Sequence, residues 1–223
     1  MTLDALGTML ALEPPAPRLR AGLAERFGLR VGEAEAGRAV AAEIAYYRAH
    51  LHEGSDTRAL AALRRRCAEV LRGALPTAAH ELDLDAMTEV LLDAIRFNAY
   101  PDVEPALRAL RARGLALVAI SNWDVSLHEQ LVATGLSPLL DAAISSAEAG
   151  VAKPDPAIFA RALGLVGVPP EAALHAGDDV GADVEGARAA GLRAVLVDRV
   201  GGAAAPSGVP VLASLAGLEA LCA

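Results

Sequence analysis

Residues 173–198 read ALHAGDDVGADVEGARAAGLRAVLVD. Two strand-like runs, Ala173 to Asp178 and Arg193 to Asp198, flank a helical stretch from Ala182 to Ala190 that Gly191 closes. A strand, a crossover helix and a second strand form a parallel unit. The alternation extends back along the chain. Leu115 to Ser121 reads as a buried strand, Val125 to Thr134 as a helix, Ala142 to Ser146 as a strand, and Pro156 to Leu165 as a helix with proline in its first turn. Fully apolar strands suit a sheet covered on both faces. The expected fold is therefore α/β, a Rossmann-like parallel sheet.

Residues 17 to 97 follow another rule. Apolar residues recur at helical spacing, with Leu19, Leu23 and Phe27 on one face and Ile44, Tyr47 and Leu51 on another. Leu60, Leu63, Cys67 and Leu71 form a third stripe, and Met87, Leu91, Leu92 and Ile95 a fourth. Four amphipathic helices can close a small bundle. The proline-rich Glu13 to Pro17 reads as the entry linker and Tyr100 to Asp102 as the exit. The expected organisation is a core of residues 1–13 and 98–223 with an inserted four-helix cap of residues 14–97. Gly201 to Pro210 reads as a loose loop.

Composition narrows the function. With 54% apolar and 22% charged residues, the chain is globular. A net charge of -8, and no basic cluster beyond Arg64, Arg65 and Arg66, argue against nucleic acid as a partner. Cys67 and Cys222 are too few and too far apart for a disulfide framework or a metal site. No apolar run approaches a membrane span and no signal peptide is visible, so a cytoplasmic protein acting on a small molecule is expected, as monomer or homodimer. Among 20 Lys+Arg residues, Lys153 is the only lysine. Retaining it in so arginine-rich a chain points to a role for a compact point charge rather than a planar fork.

Four segments stand at strand ends, where open parallel sheets place their sites. They are Asp4-Ala5-Leu6-Gly7-Thr8, Ser121-Asn122, Lys153-Pro154-Asp155-Pro156, and Gly177 to Asp183. In this order they resemble the four signature motifs of the haloacid-dehalogenase-like hydrolases, and the helical insert resembles that family's cap. The resemblance implies a catalytic set of Asp4, Thr8, Ser121, Asn122 and Lys153. Asp4 would be the nucleophile, Thr8 and Ser121 would hydrogen-bond the substrate or the nucleophile, and Lys153 would hold charge. It also implies Mg²⁺ held by Asp4, the main-chain carbonyl of Leu6, and Asp178, with Asp183 or Asp179 assisting. Arg48 and Trp123 are assigned to substrate binding, packing near the site mouth being favoured over a catalytic task for Trp123. The five histidines show no ligand spacing and are read as structural or solvent-facing.

The pattern breaks at Leu6. Phosphatases of the family carry a second aspartate there, which protonates the leaving oxygen. General acid-base help of this kind is worth about 10²- to 10⁴-fold. The family's 2-haloacid dehalogenases also lack it, and Tyr47 to Leu51 is similar to the cap stretch where they hold an arginine for the substrate carboxylate. Against dehalogenation, Phe159 stands where those enzymes have a tyrosine, and the fourth motif has phosphatase-like aspartate spacing. Asp4, Asp178 and Asp183 around one lysine also call for a divalent cation, because like charges this close cannot all stay ionised uncompensated. The expected activity is Mg²⁺-dependent phosphoryl transfer from a small phosphate with a good leaving group. The alternatives are a 2-haloacid dehalogenase and a non-catalytic binding protein. Only Met1, Thr2 and Leu3 precede Asp4, so the strand carrying it is expected to be poorly anchored unless the true start lies upstream.

Overall fold

The computed structural model describes residues 1–204 and 206–221; Cys222 lies outside them. The chain divides into two compact units, one of residues 1–11 and 98–223 and the other of residues 12–97.

The first unit is built on six parallel strands. They are β1 (Thr2–Leu3), β4 (Val118–Ser121), β5 (Ala142–Ser145), β6 (Leu174–Gly177), β7 (Arg193–Val197) and β8 (Val211–Leu212), in the order β5-β4-β1-β6-β7-β8. β1 is only two residues long yet central. Thr2 and Leu3 pair with Val118 and Ala119 on one side and with His175 and Ala176 on the other. The Asp4 N–H extends that ladder to Ala176 O at 2.9 Å, and residues 1 to 5 are all buried. The expected weakness of this strand is therefore corrected: pairing on both sides and complete burial anchor it despite its length.

Helices α5 (Val103–Ala112), α6 (Leu127–Ala133), α7 (Ser146–Ala149), α8 (Pro156–Gly164) and α9 (Gly186–Ala189) connect the strands. Val118 and Ile120 of β4 and Ala194 and Leu196 of β7 share a core with Ile158, Phe159, Ala162 and Leu163 of α8. Asp155 caps α8 through Oδ1, which accepts the Ala157 N–H at 2.8 Å, and Pro156 follows as the first helical residue.

Several sequence boundaries need correction. Leu115 to Leu117 are apolar but precede the ladder, and the Leu117 N–H goes to the side chain of Asp141. The helix expected from Ala182 is a π-helical turn over Val180–Glu185 that becomes α-helical only at Gly186. Strands β2 (Leu10–Leu12) and β3 (Phe97–Ala99) form a separate two-stranded sheet, and they and β8 are too short to leave a period-2 pattern.

The second unit holds α1 (Pro15–Phe27), α2 (Glu33–His50), α3 (Thr57–Ala74) and α4 (Leu84–Ala94). Asp56 and Asp83 cap α3 and α4, each accepting an N–H three residues on at 2.8 Å. Leu19, Leu23, Leu63, Cys67, Leu71, Met87 and Leu91 fill its core. Leu92, expected on the inward face of α4, is instead 36% exposed. It neighbours Leu91 in sequence, so the two diverge around the helix and only one can face inward. Among the described residues no helix is long and apolar enough to cross a membrane.

Candidate active site

The turn after β1 carries Asp4. It is tightly closed, with Met9 and Leu10 both donating to Ala5 O and Gly7 donating to Leu10 O. Gly7 has φ of 84°, a left-handed conformation that favours glycine. A Cβ there would fall inside the Asp178 carboxylate, so only glycine lets the first and fourth segments approach this closely.

Lys153 is the hub. Its Nζ lies 2.5 Å from Asp4 Oδ1, 2.5 Å from Asp183 Oδ1 and 3.0 Å from Ile120 O. All three ammonium hydrogens are thus committed, and the side chain is 2% exposed. Ser121, at the end of β4, donates to the same Asp4 Oδ1 at 3.2 Å. Among the described residues no hydrogen bond reaches Asp4 Oδ2, so one oxygen of this carboxylate is fixed and the other is open.

Asn122 reaches none of the carboxylates. Its amide clamps the main chain of Lys153, accepting from Lys153 N at 2.8 Å and donating to Lys153 O at 2.9 Å. Its side chain thus holds the backbone of the lysine.

The π turn aims the fourth segment. Asp179 O accepts from both Asp183 N and Val184 N, and Asp179 N donates to Asp183 Oδ2 at 3.0 Å. The widened turn returns Asp183 beneath Gly177, where a Cβ would overlap its carboxylate. Oxygens of Asp4, Asp178 and Asp183 converge within 4.8 Å of one another. Asp178 is exposed; the other two are buried. Asp179 spends Oδ1 on the Ala182 N–H as helix cap and is not one of these three converging carboxylates.

His175 is the residue that sequence reasoning missed as part of the site. It lies on β6, is wholly buried, and places Nε2 3.1 Å from Asp183 Oδ1 and Nδ1 2.9 Å from Thr2 Oγ1. An ionised carboxylate can only accept, so Nε2 carries a proton toward Asp183. Phe159 packs edge-on against the imidazole at 5.1 Å between centroids. The available signal was one polar residue inside an apolar strand.

These contacts separate the carboxylates electrostatically. Burial pushes the Asp4 carboxyl up to about 6, with the Asp183 and Asp178 charges adding to it and Lys153 opposing. Desolvation, followed by the charge of Asp183, raises Asp178 to about 6. Burial opposes ionisation of Asp183 as well, but Lys153 and His175 overcome it and hold that group well below the usual carboxylate range. Asp183 lies lower than Asp4 because His175 supports its ionised form in addition to Lys153. For Lys153, burial favours the neutral amine, and the two carboxylates reverse this and raise it.

The remaining expected residues are more dispersed. Thr8 is buried and its Oγ1 has no hydrogen-bond partner. Leu6 is half-buried. Trp123 is 5% exposed, with its indole N–H directed to Ser126 Oγ and its main chain held by Ser146. Arg48 belongs to the helical unit and is exposed.

The haloacid dehalogenase-like hydrolase family model matches residues 2–191. The chain belongs to that family. It is 46% identical over 105 residues to a phosphoserine phosphatase of Thermus thermophilus, covering 47% of this chain and 42% of that protein. It is 40% identical over 101 residues to a glyceraldehyde 3-phosphate phosphatase of Methanopyrus kandleri, covering 45% of this chain and 43% of that protein. The chain thus matches less than half the length of either relative. Among solved structures it is similar to a 2-haloacid dehalogenase from Pseudomonas syringae, with 27% identity, a TM-score of 0.67, and coverage of 99% of this chain and 96% of that one. The proteins it is similar to include phosphatases and a dehalogenase.

Proposed function

We propose that the chain is a Mg²⁺-dependent phosphatase that uses Asp4 as nucleophile on a small phosphate with a good leaving group. The observation that carries this reading is the divided Asp4 carboxylate, with Oδ1 pinned by Lys153 and Ser121 and Oδ2 open. A nucleophile needs one oxygen oriented and the other unencumbered. Oδ2 attacks phosphorus, the bond from phosphorus to the leaving oxygen breaks, and that oxygen departs with the electron pair. Water then attacks phosphorus, cleaving its bond to Asp4 and releasing inorganic phosphate, with the water's proton passing to solvent.

The donor set fits a hard divalent cation. It consists of carboxylate oxygens, and the cradle at Gly7 brings Asp178 up to the nucleophile turn. One lysine against three converging carboxylates leaves two negative charges to balance. Asp4, Asp178 and the Leu6 carbonyl would hold the ion. Asp183 is largely engaged by Lys153, His175 and Asp179 N, so it would assist from outside. When bound, Mg²⁺ supplies charge neutralisation for the phosphoryl oxygens. Thr8 Oγ1, buried and unpartnered, is available to hydrogen-bond the transferred group.

Leu6 restricts the substrate. With no acid two residues beyond the nucleophile, the leaving group must depart as an anion, which suits acyl and aryl phosphates. The same feature favours one second reading, a 2-haloacid dehalogenase, since halide leaves without a proton. The deciding experiment is turnover of acetyl phosphate, p-nitrophenyl phosphate and 2-chloropropionate, with and without Mg²⁺, assaying phosphate and halide together. Phosphate release dependent on Mg²⁺ is expected. Halide release without metal would replace this reading with the second.

A further inference from the structure

We propose that Arg199 is a positioning residue of the active site, acting through the main chain of Thr8. It stands two residues beyond β7, at the carboxyl edge of the sheet. One edge of its guanidinium donates twice to Thr8 O, from Nε at 3.1 Å and Nη2 at 2.6 Å. The other edge forms a fork on Asp102, Nη1 to Oδ1 at 2.8 Å and Nη2 to Oδ2 at 3.0 Å. The plane covers the Tyr100 ring at 3.7 Å, and the side chain is only 11% exposed.

The group holding Arg199 is itself fixed. Asp102 Oδ2 also accepts the Leu215 N–H at 2.7 Å, and Tyr100 N donates to Met9 O at 3.1 Å. Partial burial pushes the Asp102 carboxyl up, but the hydrogen bonds from Arg199 and Leu215 outweigh it and hold the group ionised below its ordinary range. The turn at Thr8 and Met9 is therefore gripped at two consecutive carbonyls by Arg199 and Tyr100.

That grip matters because of what Thr8 carries. Its hydroxyl is buried with no partner, a costly state unless a ligand uses it. Its direction depends on the main chain to which Arg199 is bonded. Lysine cannot replace Arg199, since one ammonium cannot serve Thr8 O, fork onto Asp102 and cover Tyr100 together.

The kinetic test rests on the phosphatase reading, so it is paired with one that does not. With Mg²⁺ and p-nitrophenyl phosphate, Arg199→Lys is expected to lower kcat roughly ten- to hundredfold, the scale of a misplaced reacting group, with little change in KM. In a Thr8→Val background the same substitution should lower kcat less than about threefold, because the group it positions is already gone. An equal fold-loss in both backgrounds would overturn the proposal and leave Arg199 a structural staple. Independently of turnover, hydrogen exchange at the Met9 and Leu10 amides should accelerate severalfold in Arg199→Lys, with β6 and β7 unchanged. Unchanged exchange in the turn also overturns it. A wild-type protein inert on every substrate would remove the phosphatase reading and leave exchange to decide on Arg199.

Discussion

Lys153 Nζ lies 2.5 Å from Asp4 Oδ1, although 149 positions separate the two residues in sequence. The same ammonium meets Asp183 at 2.5 Å and the carbonyl of Ile120 at 3.0 Å, so its three hydrogens are spent on three fixed acceptors from three segments.

Lys153→Arg is therefore expected to lose activity by at least about 10²-fold, because a wider fork cannot reach all three acceptors from the same point. Lys153→Met should in addition destabilise the fold by about 3–5 kcal/mol, since it leaves Asp4 and Asp183 buried without their cation. Steady-state kinetics and urea denaturation check both. Wild-type rates in Lys153→Arg would show that charge alone suffices.

Much of this arrangement was legible in the sequence. The four segments could be found because a parallel sheet brings the carboxyl ends of its strands to one edge, and apolar runs locate those ends. Residues without such a marker were not legible. His175 sits inside an apolar strand, and the meaning of its single polar side chain depends on Thr2 and Asp183, which only tertiary packing brings to it. The π turn at Val180–Glu185 escaped notice because its extra residue keeps the look of a helix start. Arg199 follows its strand like any loop arginine; its partners Thr8 and Asp102 lie 191 and 97 positions away.

Asp4→Asn should abolish turnover with the fold intact and should also change how stability depends on pH. The folded carboxyl titrates at about 6 against an ordinary 3.8. Such a raised acid favours the folded state below pH 3.8, and that advantage is lost as pH rises through about 6. In metal-free buffer the stability of Asp4→Asn relative to wild type should therefore increase between pH 4 and pH 8, by on the order of 1–3 kcal/mol. Denaturation midpoints at the two pH values measure it. Full activity in this variant would remove the covalent route.

Mg²⁺ binding should stabilise the folded protein by mass action, by about 2.7 kcal/mol when the ion is at a hundred times its Kd. Asp178→Ala should erase most of that rise in Tm. Asp179→Ala should leave most of it, since Asp179 is committed to the helix cap. A calorimetric titration with no heat at millimolar Mg²⁺ would favour the metal-free dehalogenase.

Glu43 makes a prediction for the helical unit. It is a buried carboxyl on α2, raised by desolvation and only partly relieved by the Cys67 thiol. A raised acid costs stability once pH exceeds its unfolded value, so Glu43→Gln should be more stable than wild type at pH 8, with a smaller difference at pH 4. Urea unfolding at both values tests the sign. Equal differences at the two values would mean that this carboxyl is as easily ionised folded as unfolded.

The strongest test of the chemistry is Leu6→Asp. Leu6 is half-buried in the turn two residues beyond Asp4, and a carboxyl there would be able to protonate a leaving oxygen. If the rest of a phosphatase site is present, turnover of phosphate monoesters should rise within the roughly 10²- to 10⁴-fold range of general acid-base help. The gain should be larger for alkyl than for aryl esters, because poor leaving groups depend most on the proton. A fourth carboxylate also adds to the charge already converging at Asp4, Asp178 and Asp183, so the assay must hold saturating Mg²⁺. The alkyl-to-aryl rate ratio is the decisive quantity, since a general change in folding or metal affinity moves both rates together. A folded variant with no gain on either class would count against phosphoryl transfer and leave halide displacement, which needs no proton, as the better account of Leu6.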